Sequence, residues 1–155
     1  TTLIANVGGD TTFSAGRLDN QGGSSFIDTK GDVNLDAVNV GYQSNSILDN
    51  NNFYNQGETK DIGSQITGSN DLLIKAGNNV SGTATSINST NGGVGIIAQG
   101  NVDFKEGRST TNLSTAVKTV DKGTFSTTKT QDRLNAQSDQ AITSNIEGNT
   151  VSIQA

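Results

Sequence analysis

Apolar residues in this chain recur at every second position over short runs, and Gly, Asn and Asp separate the runs. Val33, Leu35 and Ala37 alternate with Asn34 and Asp36, which is the two-residue period of a half-buried β-strand. The runs themselves repeat. Ser64-Gln65-Ile66 leads through Gly68-Ser69-Asn70-Asp71 into Leu72-Leu73-Ile74-Lys75-Ala76. Thr85-Ser86-Ile87 then leads through Gly92-Gly93 into Val94-Gly95-Ile96-Ile97-Ala98, and Val102-Asp103-Phe104 follows. Ala76 and Ala98 stand 22 positions apart. A fixed period of this size, built from short strands between turn residues, predicts a stacked β-solenoid.

The same pattern fits elsewhere as a template: Gly or Asn, then Asp or Asn, two variable positions, an apolar residue, one variable position and Ala. Gly31-Asp32-Val33-Asn34-Leu35-Asp36-Ala37 fits it, as does Gly9-Asp10-Thr11-Thr12-Phe13-Ser14-Ala15, again 22 positions earlier. Asn149 to Ala155 is a further copy, announced by Ser144-Asn145-Ile146 as Ser64-Gln65-Ile66 announces the central one, and Ser25-Phe26-Ile27 precedes Ala37 in the same way. The template assigns the interior to Leu35, Ala37, Leu72, Ile74, Ala76, Val94, Ile96, Ala98, Val102, Phe104, Val151 and Ile153. The chain opens within one copy, at Thr2-Leu3-Ile4-Ala5, and stops on the Ala of another. Residues 1–155 are therefore expected to be one β-helix fragment of a longer repeat protein.

Two stretches leave the template, at about 42–62 and about 107–141. The first has extended ends around an Asn-rich turn at Asp49-Asn50-Asn51-Asn52. In the second, Leu113 to Thr119 and Phe125 to Lys129 flank Asp121-Lys122-Gly123, which predicts an antiparallel hairpin. Residues 132–140 read as a short helix or a loose return. Both excursions depart after a template strand and come back into Ser-x-Ile, at Ser64 and Ser144, so they belong to a larger repeat. Glu106 stands where the template has Ala; an inward carboxylate is costly unless paired, so the coil is expected to open there, with Arg108 as its partner.

Composition narrows the options. Only 30% of residues are hydrophobic and 5% aromatic, and Gly, Ser, Thr and Asn make up roughly half the chain, thin material for an ordinary globular core. A solenoid tolerates this because each coil rests on its neighbours. Pro is absent, and Pro would remove a ladder donor from a central strand. Cys and His are absent too, which excludes disulfides, thiolate sites and imidazole chemistry. A net charge of −5 gives no reason to expect nucleic acid, and no apolar run approaches the ~20 residues of a membrane span.

Candidate chemistry is sparse. Asp36, Asp71 and Asp103 lie near corresponding coil positions, and clustered carboxylates serve some β-helical polysaccharide enzymes. Here they occupy different template positions amid turn signals, so neither a catalytic role nor a metal or cofactor is expected. Gly92-Gly93-Val94-Gly95 lacks the nine-residue spacing of calcium-binding repeats. Asn34, Asn78, Asn79, Asn101 and Asn149 recur near turns, where amides satisfy backbone groups. The aromatics Tyr42, Phe53, Tyr54 and Phe125 lie in the excursions. They either contact a partner, by anchoring it or stacking on sugar, or fold down over the solenoid flank.

The succession from Gly63 to Val80, then Gly93 to Val102, then Glu106-Gly107-Arg108-Ser109, resembles the haemagglutinin repeats of large two-partner-secretion exoproteins. Filamentous haemagglutinin and the CdiA effectors of contact-dependent growth inhibition belong to that family, and the resemblance covers nearly all of the chain. It implies an all-β, right-handed parallel β-helix with coils of about 22 residues and two hairpin-like excursions. It also implies export through an outer-membrane two-partner-secretion transporter and display on the bacterial cell surface. There such a segment supports adhesion or delivery of a C-terminal toxin, with a target-cell receptor or glycan as the eventual partner.

Overall fold

The computed structural model describes residues 2–155, which form seventeen β-strands in four sheets. The first coil is β1 (Leu3–Val7), β2 (Thr11–Ser14) and β3 (Arg17–Asn20). The second is β4 (Ser25–Thr29) and β5 (Val33–Asp36), then the pair β6 (Val38–Asp49) and β7 (Asn52–Ile62), and finally β8 (Gln65–Gly68). The third repeats the plain pattern with β9 (Leu72–Ala76), β10 (Val80–Thr83) and β11 (Ser86–Ser89). The fourth has β12 (Val94–Ala98) and β13 (Val102–Lys105), the long pair β14 (Gly107–Lys122) and β15 (Thr127–Ile142), and β16 (Asn145–Glu147); β17 (Val151–Gln154) starts another turn.

Three sheets run along the stack, in the orders β1-β4-β9-β12-β17, β13-β10-β5-β2 and β16-β11-β8-β3. Their ladders are parallel, with Ile27 beside Ile74 and Ile74 beside Ile96 in the first sheet. A solenoid of ~22-residue coils is thus what the periodicity predicted. The fourth sheet, β15-β14-β7-β6, collects both excursions. The chain divides into two compact units: the coils (1–39, 61–107, 141–155) and the excursions (40–60, 108–140).

The interior of the coil unit is a set of columns. Ile27, Ile74 and Ile96 form one, Leu72 and Val94 continue another with Ser25, and Ile66 stacks on Ile87 in the third sheet. All are buried, and each large aliphatic contributes about 1.5–3 kcal/mol of transfer free energy. Phe13, Leu35 and Phe104 share a column with Gly82. A side chain at Gly82 would stand 2.7 Å from the Phe104 ring, so the glycine makes room for the aromatic one coil away. Interior hydroxyls are paired: Thr29 meets Thr11 at 2.7 Å and Ser25 accepts from Asn20 Nδ2 at 2.9 Å.

The structure revises the single template. Val33–Asp36 and Thr11–Ser14 lie in the second sheet, in register with Val80 and Val102, whereas Leu72–Ala76 and Val94–Ala98 lie in the first, in register with Ser25–Thr29. Ser25-Phe26-Ile27 is therefore the counterpart of Leu72-Leu73-Ile74, not of Ser64-Gln65-Ile66. Likewise Ala5 matches Ile27 in the first strand. Two strands of one coil share an alternating pattern after an Asp/Asn turn, so the sequence presents them as one motif. Leu35, Leu72, Ile74, Ala76, Val94, Ile96 and Ala98 are buried as assigned, while Ala37, Val102 and Phe104 are half-buried. Val151 and Ile153 are 46% and 50% exposed, because β17 is an outer strand with a neighbour on one side only.

Side chains mend the turns. Asp32 N donates to Asp10 Oδ1 at 2.9 Å, Asn79 N to Asp32 Oδ1 at 2.9 Å, and Asn101 N to Asn79 Oδ1 at 2.8 Å. One carboxylate or amide oxygen per coil thus satisfies the N–H of its counterpart in the next, and Asn79 does what the turn chemistry suggested, while Asn101 contributes its backbone N–H. Asn149 donates to the Asn91 carbonyl at 2.8 Å. Asn34 instead lies on β5, accepting from Ser81 Oγ at 3.0 Å.

The corner between the second and third sheets decides the path of the chain. Where the coil continues, Ala15 and Ala84 take left-handed backbone, φ 47° and 51°, at a cost of roughly 1–2 kcal/mol each. The register places Ala37 and Glu106 at the same position in the coils that carry excursions, and neither has positive φ. There the chain runs on into β6 and β14. Glu106 is exposed and the buried residue is Gly107, so the carboxylate does not enter the interior.

The returning serine closes the gap. Ser64 Oγ lies 2.9 Å from the Phe13 carbonyl and 3.0 Å from the Asp36 carbonyl, and accepts from Gly16 N at 3.2 Å. Ser144 Oγ repeats this, donating to the Lys105 carbonyl at 2.7 Å and accepting from Thr85 N at 3.0 Å. Gly63, just before, passes so close to the Ala84 carbonyl that any side chain would overlap it.

Two outcomes test this account. Ile74→Asp places an unpaired carboxylate in a fully buried column, which costs several kcal/mol against a total stability of about 5–15 kcal/mol; loss of the cooperative β-type melt in circular dichroism is expected. Ser64→Ala leaves the part-buried Gly16 N–H without its acceptor and is expected to cost about 1–3 kcal/mol, read as a lower urea midpoint at unchanged slope.

Candidate interaction surface

The excursions differ from the coils in having almost no apolar interior: in their sheet only Gly57, Gly107 and Ala116 are buried. β7 and β14 pair antiparallel, with Lys60 opposite Ser109, Asn55 opposite Ser114 and Phe53 opposite Ala116. Side chains alternate between the two faces, so Asn55 and Gly57 share a face with Asn112, Ser114 and Ala116. Thr59 and Thr110 touch on that face at 2.6 Å, and Ser114 Oγ donates to Asn135 Oδ1 at 2.6 Å, carrying the row onto β15.

This face holds an open groove of about 520 Å³ whose polar lining includes Gln43, Asn55, Asn112, Ser114, Asn135 and Gln137. Five of these are carboxamides and none is charged. Gly57 shapes the floor, since a Cβ there would stand 2.7 Å from Asn112 Oδ1. Asn55 Oδ1 is buried without a hydrogen-bond partner among the described residues, and an unmatched buried acceptor carries a desolvation cost.

The opposite face holds Tyr42, Tyr54 and Gln56, with Tyr54 Oη donating to Gln56 Oε1 and Gln56 Nε2 donating to Tyr42 Oη at 3.3 Å. The two rings are 54% and 41% exposed. Phe53 is half-buried beside Ala116, and Phe125 is fully exposed at the tip of the second hairpin. The four aromatics named from the sequence are therefore not one cluster. Only Tyr42 and Tyr54 come together.

Hairpin geometry departs from expectation in two places. The turn falls at Gly123–Ser126, where Gly123 N donates to the Ser126 carbonyl at 2.7 Å, two residues beyond the predicted Asp121-Lys122-Gly123. Residues 132–140 are strand throughout, part of β15, because pairing with β14 overrides their weak helical tendency. The excursion strands also begin earlier than position 42, at Val38, and end at Ile142. Arg108 meets Asp139 at 3.6 Å.

The first hairpin's turn forms where the Asn run placed it. Asp49 Oδ1 accepts from Asn51 N at 2.6 Å, and both carboxylate oxygens accept from Asn52 Nδ2. The Asn52 side chain, then the Asn51 backbone, hold the Asp49 carboxyl below its ordinary pKa.

The carboxylates considered for chemistry serve the coils. Asp71 Oδ1 accepts from Gly93 N at 2.9 Å and Asp103 pairs with Lys105 at 3.1 Å. Asp36 ends β5 at a different register position from Asp103, so the three do not converge. No group of His, Cys, Asp or Glu able to hold a metal occurs among the described residues. The amide groove was not foreseen; its only sequence signal is polar residues at alternate positions, Asn112/Ser114 and Asn135/Gln137. No family model, curated protein or solved structure matches the chain.

The Asp49 turn has a defined pH dependence. Because the folded pKa is lowered, its stabilisation is full above the unfolded value of about 3.9 and is lost as pH falls through the folded value. The Asn51 amide resonance is expected to stay fixed from neutral pH into the ordinary carboxylate range and to shift, with loosening of the turn, only below it. The Asp49→Asn chain should lack that titration.

Proposed function

We propose that this chain is a structural segment of a secreted, cell-surface exoprotein of the haemagglutinin-repeat type, a stalk whose work is reach, rigidity and presentation. The observation that carries the reading is the regular placement of the excursions: alternate coils release a hairpin at one corner and close it with the same serine contact. A repeat of this kind lengthens by about 4.8 Å per coil, and its coils fold in succession because each contacts only its neighbours. Absence of Cys suits passage as an unfolded thread through an outer-membrane transporter.

A second reading, recognition of a receptor or glycan by the excursions, is favoured by the uncharged amide groove and its unmatched Asn55 oxygen. One comparison separates the two. The intact chain and a form lacking residues 108–140 are screened against whole cells and a neutral glycan array. The stalk reading expects both to fold and neither to bind; binding by the intact chain that disappears with the deletion replaces it with the recognition reading. Fusion behind a two-partner secretion domain gives the positive test, surface display that depends on the transporter.

A further inference from the structure

The second hairpin outreaches the first. The pairing of β7 with β14 ends with Phe53 opposite Ala116, and residues 117–122 and 127–133 run on past it to the Gly123–Ser126 turn. One register holds throughout β14 and β15, which are equal in length. The Gly123–Ser126 bond and the Ser114–Asn135 contact both set it. In that register Ala116 lies opposite Arg133, Lys118 opposite Gln131, Val120 opposite Lys129 and Lys122 opposite Thr127.

Alternation then sorts the charges by face. The face of Ser114 and Asn135 carries Arg133, Lys118, Lys129 and Lys122, while Asp121 and Asp132 point the other way. Successive rungs of this face are two residues apart, about 6.8 Å, and each supplies one cation, alternately from β15 and β14. Past the last of them stands Phe125, fully exposed in the turn. The four cations are exposed as well. None forms an ion pair among the described residues; Lys118 lies within the field of Asp49. The net charge of −5, which gave no reason to expect nucleic acid, belongs to the whole chain. Salt screens charges beyond a Debye length of about 8 Å, so an approaching ligand meets the local row instead.

We propose that this face binds single-stranded nucleic acid. Its phosphates follow the row Arg133, Lys118, Lys129, Lys122, and a base stacks on Phe125. The rung spacing is close to the reach of one nucleotide in an extended strand. A cationic track combined with an exposed aromatic holds single strands without regard to sequence. An anionic polysaccharide would match the charges but offers Phe125 no planar ring, and in a duplex the bases are already stacked on one another. The site needs only a face and a turn, so a further strand beside β15 leaves it intact. It goes beyond the stalk reading and is independent of it: transporter-dependent display can hold while an oligonucleotide fails to bind.

The test is fluorescence anisotropy of the full chain with a labelled oligothymidylate of about 10 nucleotides, within the site sizes such tracks cover. Four phosphate contacts give a slope of log K against log salt of about −3, a roughly fiftyfold loss between about 50 and about 200 mM salt. Lys129→Gln should make the slope shallower by about 0.7. Phe125→Ala should weaken binding about tenfold at unchanged slope, and Lys30→Gln, in the coil unit, should change nothing. All three positions are exposed, and the β-type melt checks that each variant folds. No binding at the lower salt, or a slope unaltered in Lys129→Gln, overturns the proposal. So does equal binding of a heparin-derived oligosaccharide or of phosphatidylglycerol vesicles that Phe125→Ala leaves untouched, which would assign the face to polyanions at large.

Discussion

In the coil unit, a strand has no partner within its own coil; its backbone groups are satisfied only by the coil before and the coil after. That single dependence explains the composition. Interior columns need little more than aliphatic residues of matched size, because the ladder supplies directional order and the columns supply desolvation. It also explains why polar side chains cluster at turns. A turn interrupts the ladder, and the oxygen of Asp10, Asp32 or Asn79 takes its place by accepting the N–H of its counterpart one coil on.

The corner between the second and third sheets is where this order is broken and restored. A left-handed Ala continues the coil, and a residue without positive φ at the same place sends the chain out. The Asp36 and Lys105 carbonyls keep their bonds to the Ala15 and Ala84 N–H groups of the adjoining coil, and the serine that heralds the return sets its hydroxyl against the same carbonyl. Deviation and repair are thus encoded a whole excursion apart in sequence but within one hydrogen bond in space. The coil therefore closes whether it holds three strands or five.

Much of this was legible because burial and period coincide. Ile74 and Ile96 show their 22-residue spacing directly, and Ser64 and Ser144 mark equivalent returns even before the contact they make is known. Other features left no such trace. The two motif classes merged because Val33-x-Leu35 and Leu72-x-Ile74 have the same alternation after the same kind of turn, although ladders assign them to different sheets. The left-handed corner was invisible since Ala15 and Ala84 carry no glycine signature. The exposure of Val151 and Ile153 follows from stacking on one side only, a property of neighbours rather than of residues. In the excursions, polar alternation carries no burial signal, so the turn at Gly123–Ser126, the strand character of residues 132–140 and the amide groove all arise from pairing that sequence alone does not display.

The serine closure gives the corner the character of a cassette site. A segment inserted between Asp36 and Ser64, or between Lys105 and Ser144, enters and leaves through a junction already made complete by one hydroxyl. Its length and chemistry can drift without disturbing the columns of the coil unit. A lineage built on such coils could vary its excursions, repeat by repeat, while selection on stacking holds the coils constant.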